Sequence, residues 1–148
     1  MKEEKIVCFA GHRYDWQNIG IKENLEKIII NLIEQGYTIF YDGGKGSFDK
    51  ISSSIVIRLK TKYPQIKIYR ILSYYQHKKE RGILPSCYDG SIYPEIENVF
   101  PKARISKRNE WIVDNSDILV CHIIETYKSG AYNTVKYAKK VCKPIISV

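Results

Sequence analysis

The sequence predicts an α/β fold: a Rossmann-like parallel sheet with helices on both faces, in a single domain spanning residues 1–148. Three observations predict it. Short apolar, β-branched runs alternate with segments whose apolar residues recur at helical spacing. Several of those runs stop at glycine, as a strand does where it turns into a loop. The length suits one domain, which at this size buries roughly 70% of the surface of its unfolded chain. Strands that alternate with helices pair in parallel, because each helix returns the chain over a face of the sheet in a right-handed crossover.

Lys5-Ile6-Val7-Cys8-Phe9-Ala10 reads as a buried first strand that stops at Gly11. Ile21, Leu25, Ile28, Ile29, Leu32 and Ile33 then follow the spacing of an amphipathic helix, with Gly36 as its C-terminal stop. Tyr37 to Tyr41 is the second strand, running into Gly43-Gly44-Lys45-Gly46. Phe48, Ile51, Ile55 and Leu59 mark a second helix closed by Pro64, with Asp49 in the first turn, where the helix dipole favours a carboxylate. Ile66 to Leu72 is the third strand.

From Ser73 to Ile105 the periodicity is lost: Gly82, Pro85, Gly90, Pro94 and Pro101 interrupt a stretch carrying Tyr74, Tyr75, Tyr88 and Tyr93. A loop that long is uncommon in a compact domain unless it is functional, so part of it reads as a pocket wall or lid. Its tyrosines can stack on a base or equally pack against the sheet edge. Ser106 is placed to cap a short helix through Trp111, Ile112 and Val113. Ile118 to Ile124 is the most apolar run and reads as a central strand, with Asp114 and Asp117 before it as turn-capping residues. Val135, Ala138 and Val141 define a last helix, and Pro144 to Val148 a closing strand.

Composition excludes several classes of function. Hydrophobic residues make up 44% and charged residues 27%, ordinary values for a globular protein. No apolar run is long enough to span a bilayer, so no membrane partner is expected. Met1-Lys2-Glu3-Glu4-Lys5 leads directly into the first strand without a signal-peptide pattern, and the expected location is cytoplasmic. Cys8, Cys87, Cys121 and Cys142 are scattered and form no CxxC pair; three of them read as buried thiols, and neither a metal site nor a cofactor is expected. Lys and Arg outnumber Asp and Glu by 24 to 16, a net charge of +8 that attracts phosphates, nucleic acids or an acidic partner. The denser clusters, Lys78 to Arg81 and Lys102 to Arg108, are short and read as solvated faces before nucleic-acid surfaces.

In open parallel sheets, ligands bind beyond the carboxyl ends of the strands. The candidate loops there are Gly11-His12-Arg13, then Gly43-Gly44-Lys45-Gly46-Ser47-Phe48-Asp49, then Ser129-Gly130-Ala131. Glycine lets the backbone approach a phosphate, and amides at a helix start can donate to it. Each loop alone is equally what a tight turn requires; their coincidence is the more specific signal. Neither the GxGxxG fingerprint nor the P-loop spacing is present, which disfavours ordinary NAD dehydrogenases and ATPases. Arg13 can pair with a phosphate, or be a surface arginine beside a structural His12. Arg108 and Asn109 can offer a cation and an amide to a ligand, or simply start a helix.

Four segments occur in order: Cys8-Phe9-Ala10-Gly11-His12-Arg13, Tyr41-Asp42-Gly43-Gly44-Lys45-Gly46-Ser47-Phe48-Asp49, Ser106-Lys107-Arg108-Asn109-Glu110-Trp111-Ile112-Val113-Asp114 and Ser129-Gly130-Ala131-Tyr132. Together they resemble a YpsA-like member of the SLOG superfamily over nearly the whole chain. The resemblance implies a Rossmann-like fold and a pocket for nucleotides or nucleotide-derived signals, related to the folds of the LOG phosphoribohydrolases and the DNA-processing protein DprA. The third loop departs from the family, which tends to show two glycines where this chain has Ser129-Gly130. The LOG enzymes also pair their PGGxGT loop with a glutamate on the following helix, whereas here that helix reads Ala131-Tyr132-Asn133-Thr134-Val135-Lys136. N-glycosidic cleavage needs a group to stabilise an oxocarbenium-like centre or activate water, so the missing carboxylate argues against that reaction; Asp49 and Glu125 are the alternatives.

The leading expectation is therefore a domain that binds or senses a nucleotide or nucleotide-derived small molecule. Its candidate ligand-binding residues are Gly11, His12, Arg13, Gly43, Gly44, Gly46, Asp49, Arg108, Asn109, Ser129 and Gly130. The alternatives are a nucleotide N-glycosidase or deoxyribosyltransferase and, third, nucleic-acid binding in the manner of DprA. Related folds often dimerise through helices, which makes a homodimer a partner to test.

Overall fold

A computed structural model of the protein describes residues 4–12, 20–44, 46–73, 86–96, 99–123 and 129–148. In chain order its elements are β1 (Lys5–Gly11), α1 (Lys22–Glu34), β2 (Tyr37–Asp42), α2 (Gly46–Leu59), β3 (Lys67–Ile71), β4 (Gly90–Ile92), α3 (Arg104–Asp114), β5 (Ile118–His122), α4 (Gly130–Lys140) and β6 (Ile145–Ser147). The strands form one sheet in the order β4-β3-β2-β1-β5-β6, and every neighbouring pair is parallel.

The period of two along each strand sorts side chains to opposite faces. Val7 and Phe9 of β1, Phe40 of β2 and Ile68 of β3 pack with Leu25 and Ile29 of α1 and Phe48, Ile55 and Val56 of α2. Cys8 and Ala10, Tyr41 and Ile71 point the other way, into a second core with Ile112 and Val113 of α3 and Val135 and Ala138 of α4. The result is three layers, each helix contributing one apolar stripe. Gly36 ends α1 with φ of 102°, a left-handed conformation that glycine adopts without strain.

Local hydrogen bonds fasten the amino ends of the central strands. Ile6 N–H donates to Asp117 Oδ2 at 2.7 Å, and Asp117 N–H donates to Ile6 O at 2.8 Å, locking the start of β5 to β1. Asp114 accepts the Tyr137 hydroxyl at 2.8 and 3.0 Å, tying α3 to α4.

The structure departs from the sequence reading at four points. The irregular stretch after β3 contains a strand, β4, whose three residues pair with Tyr69–Ile71 and are too few to show a period. Helix α3 begins at Arg104, because a 3-10 turn over Pro101–Ala103 runs directly into it; Ser106 lies inside the helix and Ala103 holds the cap position. β1 and β2 occupy the middle of the sheet, and β5 stands between β1 and the edge strand β6. Two cysteines are buried, Cys8 and Cys121, while Cys87 and Cys142 are exposed. Among the described residues, no helix is long and apolar enough to cross a membrane.

Burial pushes the Cys8 thiol up to about 12, with the charge of Asp49 adding to the shift and Ser116 and Lys143 opposing it. Since the thiolate is the reactive form, a small alkylating reagent should label Cys87 and Cys142 in the native protein. Cys8 and Cys121 should follow only on unfolding. Peptide mass spectrometry before and after denaturation reads the pattern, and native labelling of Cys8 would show that β1 is not held as described.

Candidate functional site

The strand order reverses between β1 and β5: the chain proceeds from β1 through β2 and β3 to β4 on one side, and from β5 to β6 on the other. A crevice forms at the carboxyl ends of the strands at such a point. His12 follows β1 directly and is wholly buried, and its Nδ1 lies 2.7 Å from the hydroxyl of Ser129. Ser129 is the N-cap of α4, accepting the Tyr132 N–H at 3.3 Å. One histidine thus joins the loops that follow β1 and β5. The Ser47 hydroxyl donates to His12 O at 3.5 Å and brings the start of α2 to the same place.

The glycines of these loops divide by what occupies the space of a missing side chain. At Gly11 a Cβ would lie 2.2 Å from Phe48 Cγ, so the phenyl ring fills that position. At Gly43 it would meet the Arg108 guanidinium at 3.1 Å, and at Gly44, whose φ is +71°, Arg70 Nε at 2.6 Å. Gly46 opens α2 with φ of 88°. Among the described residues, nothing lies within 4 Å of a Cβ at Gly130, the first residue of α4. At Gly11 and Gly44 a side chain would displace Phe48 or Arg70, at Gly43 it would press on Arg108, and at Gly130 none of the described residues stands in its way.

Arg108 is 3% exposed and serves the loop from below. Its Nη1 donates to Gly43 O at 2.9 Å and Ile71 O at 3.1 Å, and its Nε to Asn109 Oδ1 at 3.0 Å. The guanidinium joins the ends of β2 and β3, with Asn109 beside it. Asp49 lies half-buried in the first turn of α2. Arg13, Lys45, Tyr74, Tyr75, Glu125 and the Lys78 to Arg81 cluster lie outside the described residues.

A second polar cluster, absent from the sequence reading, stands at the end of β2. The buried carboxylate of Asp42 accepts the Gly44 N–H and the hydroxyl of Tyr88. Arg70, its register partner on β3, lies 3.7 Å away and stacks on the Tyr88 ring. Burial raises the Asp42 pKa, opposed by the bonds from Tyr88 and Gly44 and by the charges of Arg70 and Arg108. Burial and the neighbouring Asp42 push Tyr88 up to about 12. The only sequence signal was an aspartate set immediately before two glycines. Among the described residues, no three His, Cys, Asp or Glu side chains gather to hold a metal ion.

The fold is similar to solved structures of the molybdenum cofactor carrier protein from Chlamydomonas reinhardtii. Two of these align with a TM-score of 0.56 at 14% identity, over 97% and 98% of this chain and 76% of that one. A third aligns with a TM-score of 0.58 at 12% identity, over 99% and 76% respectively. At these identities the likeness concerns the Rossmann-like α/β fold. No protein-family model and no curated protein matches the chain.

Two outcomes test this geometry. Gly11→Ala should destabilise the fold by about 1–3 kcal/mol through overpacking against Phe48, and Gly130→Ala should stabilise it by about 0.4–1 kcal/mol by restricting the unfolded chain; urea denaturation separates the signs. Tyr88 has a folded pKa near 12 against an ordinary 10.0, so it contributes stability that is complete below pH 10 and is lost as pH rises towards 12. Wild-type stability should therefore fall more steeply over that interval than that of Tyr88→Phe, and parallel curves would show that burial and Asp42 do not raise the phenol.

Proposed function

We propose that the protein binds a phosphate-bearing nucleotide or nucleotide-derived molecule in the crevice between the carboxyl ends of β1 and β5, as a sensor or carrier without turnover. The observation that carries this reading is the N-terminus of α4. The first amides of a helix have no partner within it and present a partial positive charge, and among the described residues no atom lies within 4 Å of a Cβ position at Gly130. His12 and Ser129 hold that terminus against the loop after β1, so the seat is built before a ligand arrives. Arg13, from the same sequence motif as His12, is the proposed cation for this phosphate, and Gly43, Gly44, Gly46, Asp49, Arg108 and Asn109 are the proposed adjoining wall.

The YpsA-like and SLOG-related reading of the sequence motifs belongs to this proposal. A likeness in fold to proteins named as carriers of the molybdenum cofactor supports binding without chemistry. So does the absence of a carboxylate in the first turns of α4.

The test is calorimetric titration with AMP, ADP-ribose, NAD, cyclic nucleotides and molybdenum cofactor, followed by chromatography of each mixture. AMP should bind and be recovered intact. Gly130→Asp should abolish that binding and leave stability unchanged or raised by about 0.3–1 kcal/mol, since an acid favours a helix N-terminus while repelling an anion from it. Release of free base would make the protein an N-glycosidase or transferase. Binding of single-stranded DNA that weakens steeply with salt would point to nucleic acid. Unaltered AMP binding by Gly130→Asp would remove the seat from α4.

A further inference from the structure

Arg70 sits one residue before the end of β3, and its guanidinium is held in place from several sides. It lies over the Tyr88 ring at 4.6 Å from the centroid, and Nη2 donates to the Tyr88 hydroxyl at 2.9 Å. The same nitrogen is 3.7 Å from Asp42 Oδ2, longer than the 2.7–2.9 Å typical of a charge-assisted hydrogen bond. Asp42 thus orients the cation electrostatically while its oxygens accept from Gly44 and Tyr88. A guanidinium has five N–H donors, and the bond to Tyr88 uses one of them. Its Nε is buried and finds no acceptor among the described residues. Unsatisfied buried donors are rare and call for an explanation.

The position of that nitrogen offers one. It lies against Gly44, where any side chain would begin 2.6 Å from it, so glycine at 44 is what leaves room for the guanidinium at the mouth of the loop. The Arg70 side chain is 26% exposed although Nε itself is buried, so the cation is pinned and an anion reaches it at its outer nitrogens. Arg70 stands on β3, two and a half strand spacings from the β1–β5 crevice, and its guanidinium reaches towards Asp42 on β2, one and a half spacings away, which sets the separation at roughly 7–12 Å.

We propose that Arg70 forms a second anion seat beside the first, so that the ligand carries two acidic groups about a ribose apart, with Tyr88 and Asp42 as positioning residues for the guanidinium. This rests on the nucleotide reading above and specifies its chemistry: a nucleoside bisphosphate class rather than a monophosphate. The structural alternative, in which Arg70 serves only as counter-ion to Asp42, leaves the guanidinium donors unexplained.

Calorimetry with AMP and adenosine 3′,5′-bisphosphate on the full chain tests it. The wild type should prefer the bisphosphate by about tenfold, the factor that one charged hydrogen bond contributes. Arg70→Gln should erase the preference while AMP binds as before, Arg70→Lys should retain part of it, and Tyr88→Phe should reduce it without removing it. Equal affinity of the wild type for the two, or a preference that survives in Arg70→Gln, overturns the second seat while leaving the first standing. If Arg70→Gln fails to fold, Arg70→Lys and Tyr88→Phe decide: an undiminished preference in both overturns it. Failure of the wild type to bind either probe overturns both readings together.

Discussion

The pairing of β1 with β2 on one side and β5 on the other is the constraint from which the remaining geometry follows. Its register sets Cys8 beside Tyr41 and Leu119, and Ala10 beside Cys121, so one strand supplies side chains to both cores. Because β1 is packed on both faces, its residues from Ile6 to Gly11 are small or apolar, and the next polar side chain, His12, appears only where the strand has ended. That histidine is buried, and the contact it makes with Ser129 brings sequence-distant segments to a common point.

Much of this was legible in the sequence because it depends on local pattern. The period of α1 and the glycine after it, the run of Lys5 to Ala10 and the glycine-bearing loops each reflect forces acting over a few residues. What could not be read depends on contacts across the sheet. β4 exists because Tyr69–Ile71 offer it a partner, and three residues carry no period of their own. For Arg108 the sequence left open a ligand contact or a helix start, and the described bonds of its guanidinium, to the carbonyls of Gly43 and Ile71 and to Asn109, depend on strands it is not adjacent to in sequence. Tyr88 lay among interchangeable tyrosines until the end of β2 supplied the carboxylate that distinguishes it.

The glycines carry a related lesson. Five of them looked alike as phosphate-binding candidates, but the side chains around four of these differ: a phenyl ring at Gly11, arginines at Gly43 and Gly44, and none of the described residues at Gly130. The loop after β2 is clasped between Arg108 on the α3 side and Arg70 on the α2 side. Such a loop is shaped by the protein's own cations before any external anion contributes, which is the meaning of preorganisation at this edge.

The margin of the sheet beyond β3 bears on how copies of the chain meet. β4 is only three residues long, and the aspartate just before it holds the Ile68 N–H at 2.8 Å and the Lys60 ammonium at 2.7 Å. A short border guarded by a charged pair offers a poor template for adding another strand. Growth of the sheet from one molecule into the next is therefore discouraged along this rim.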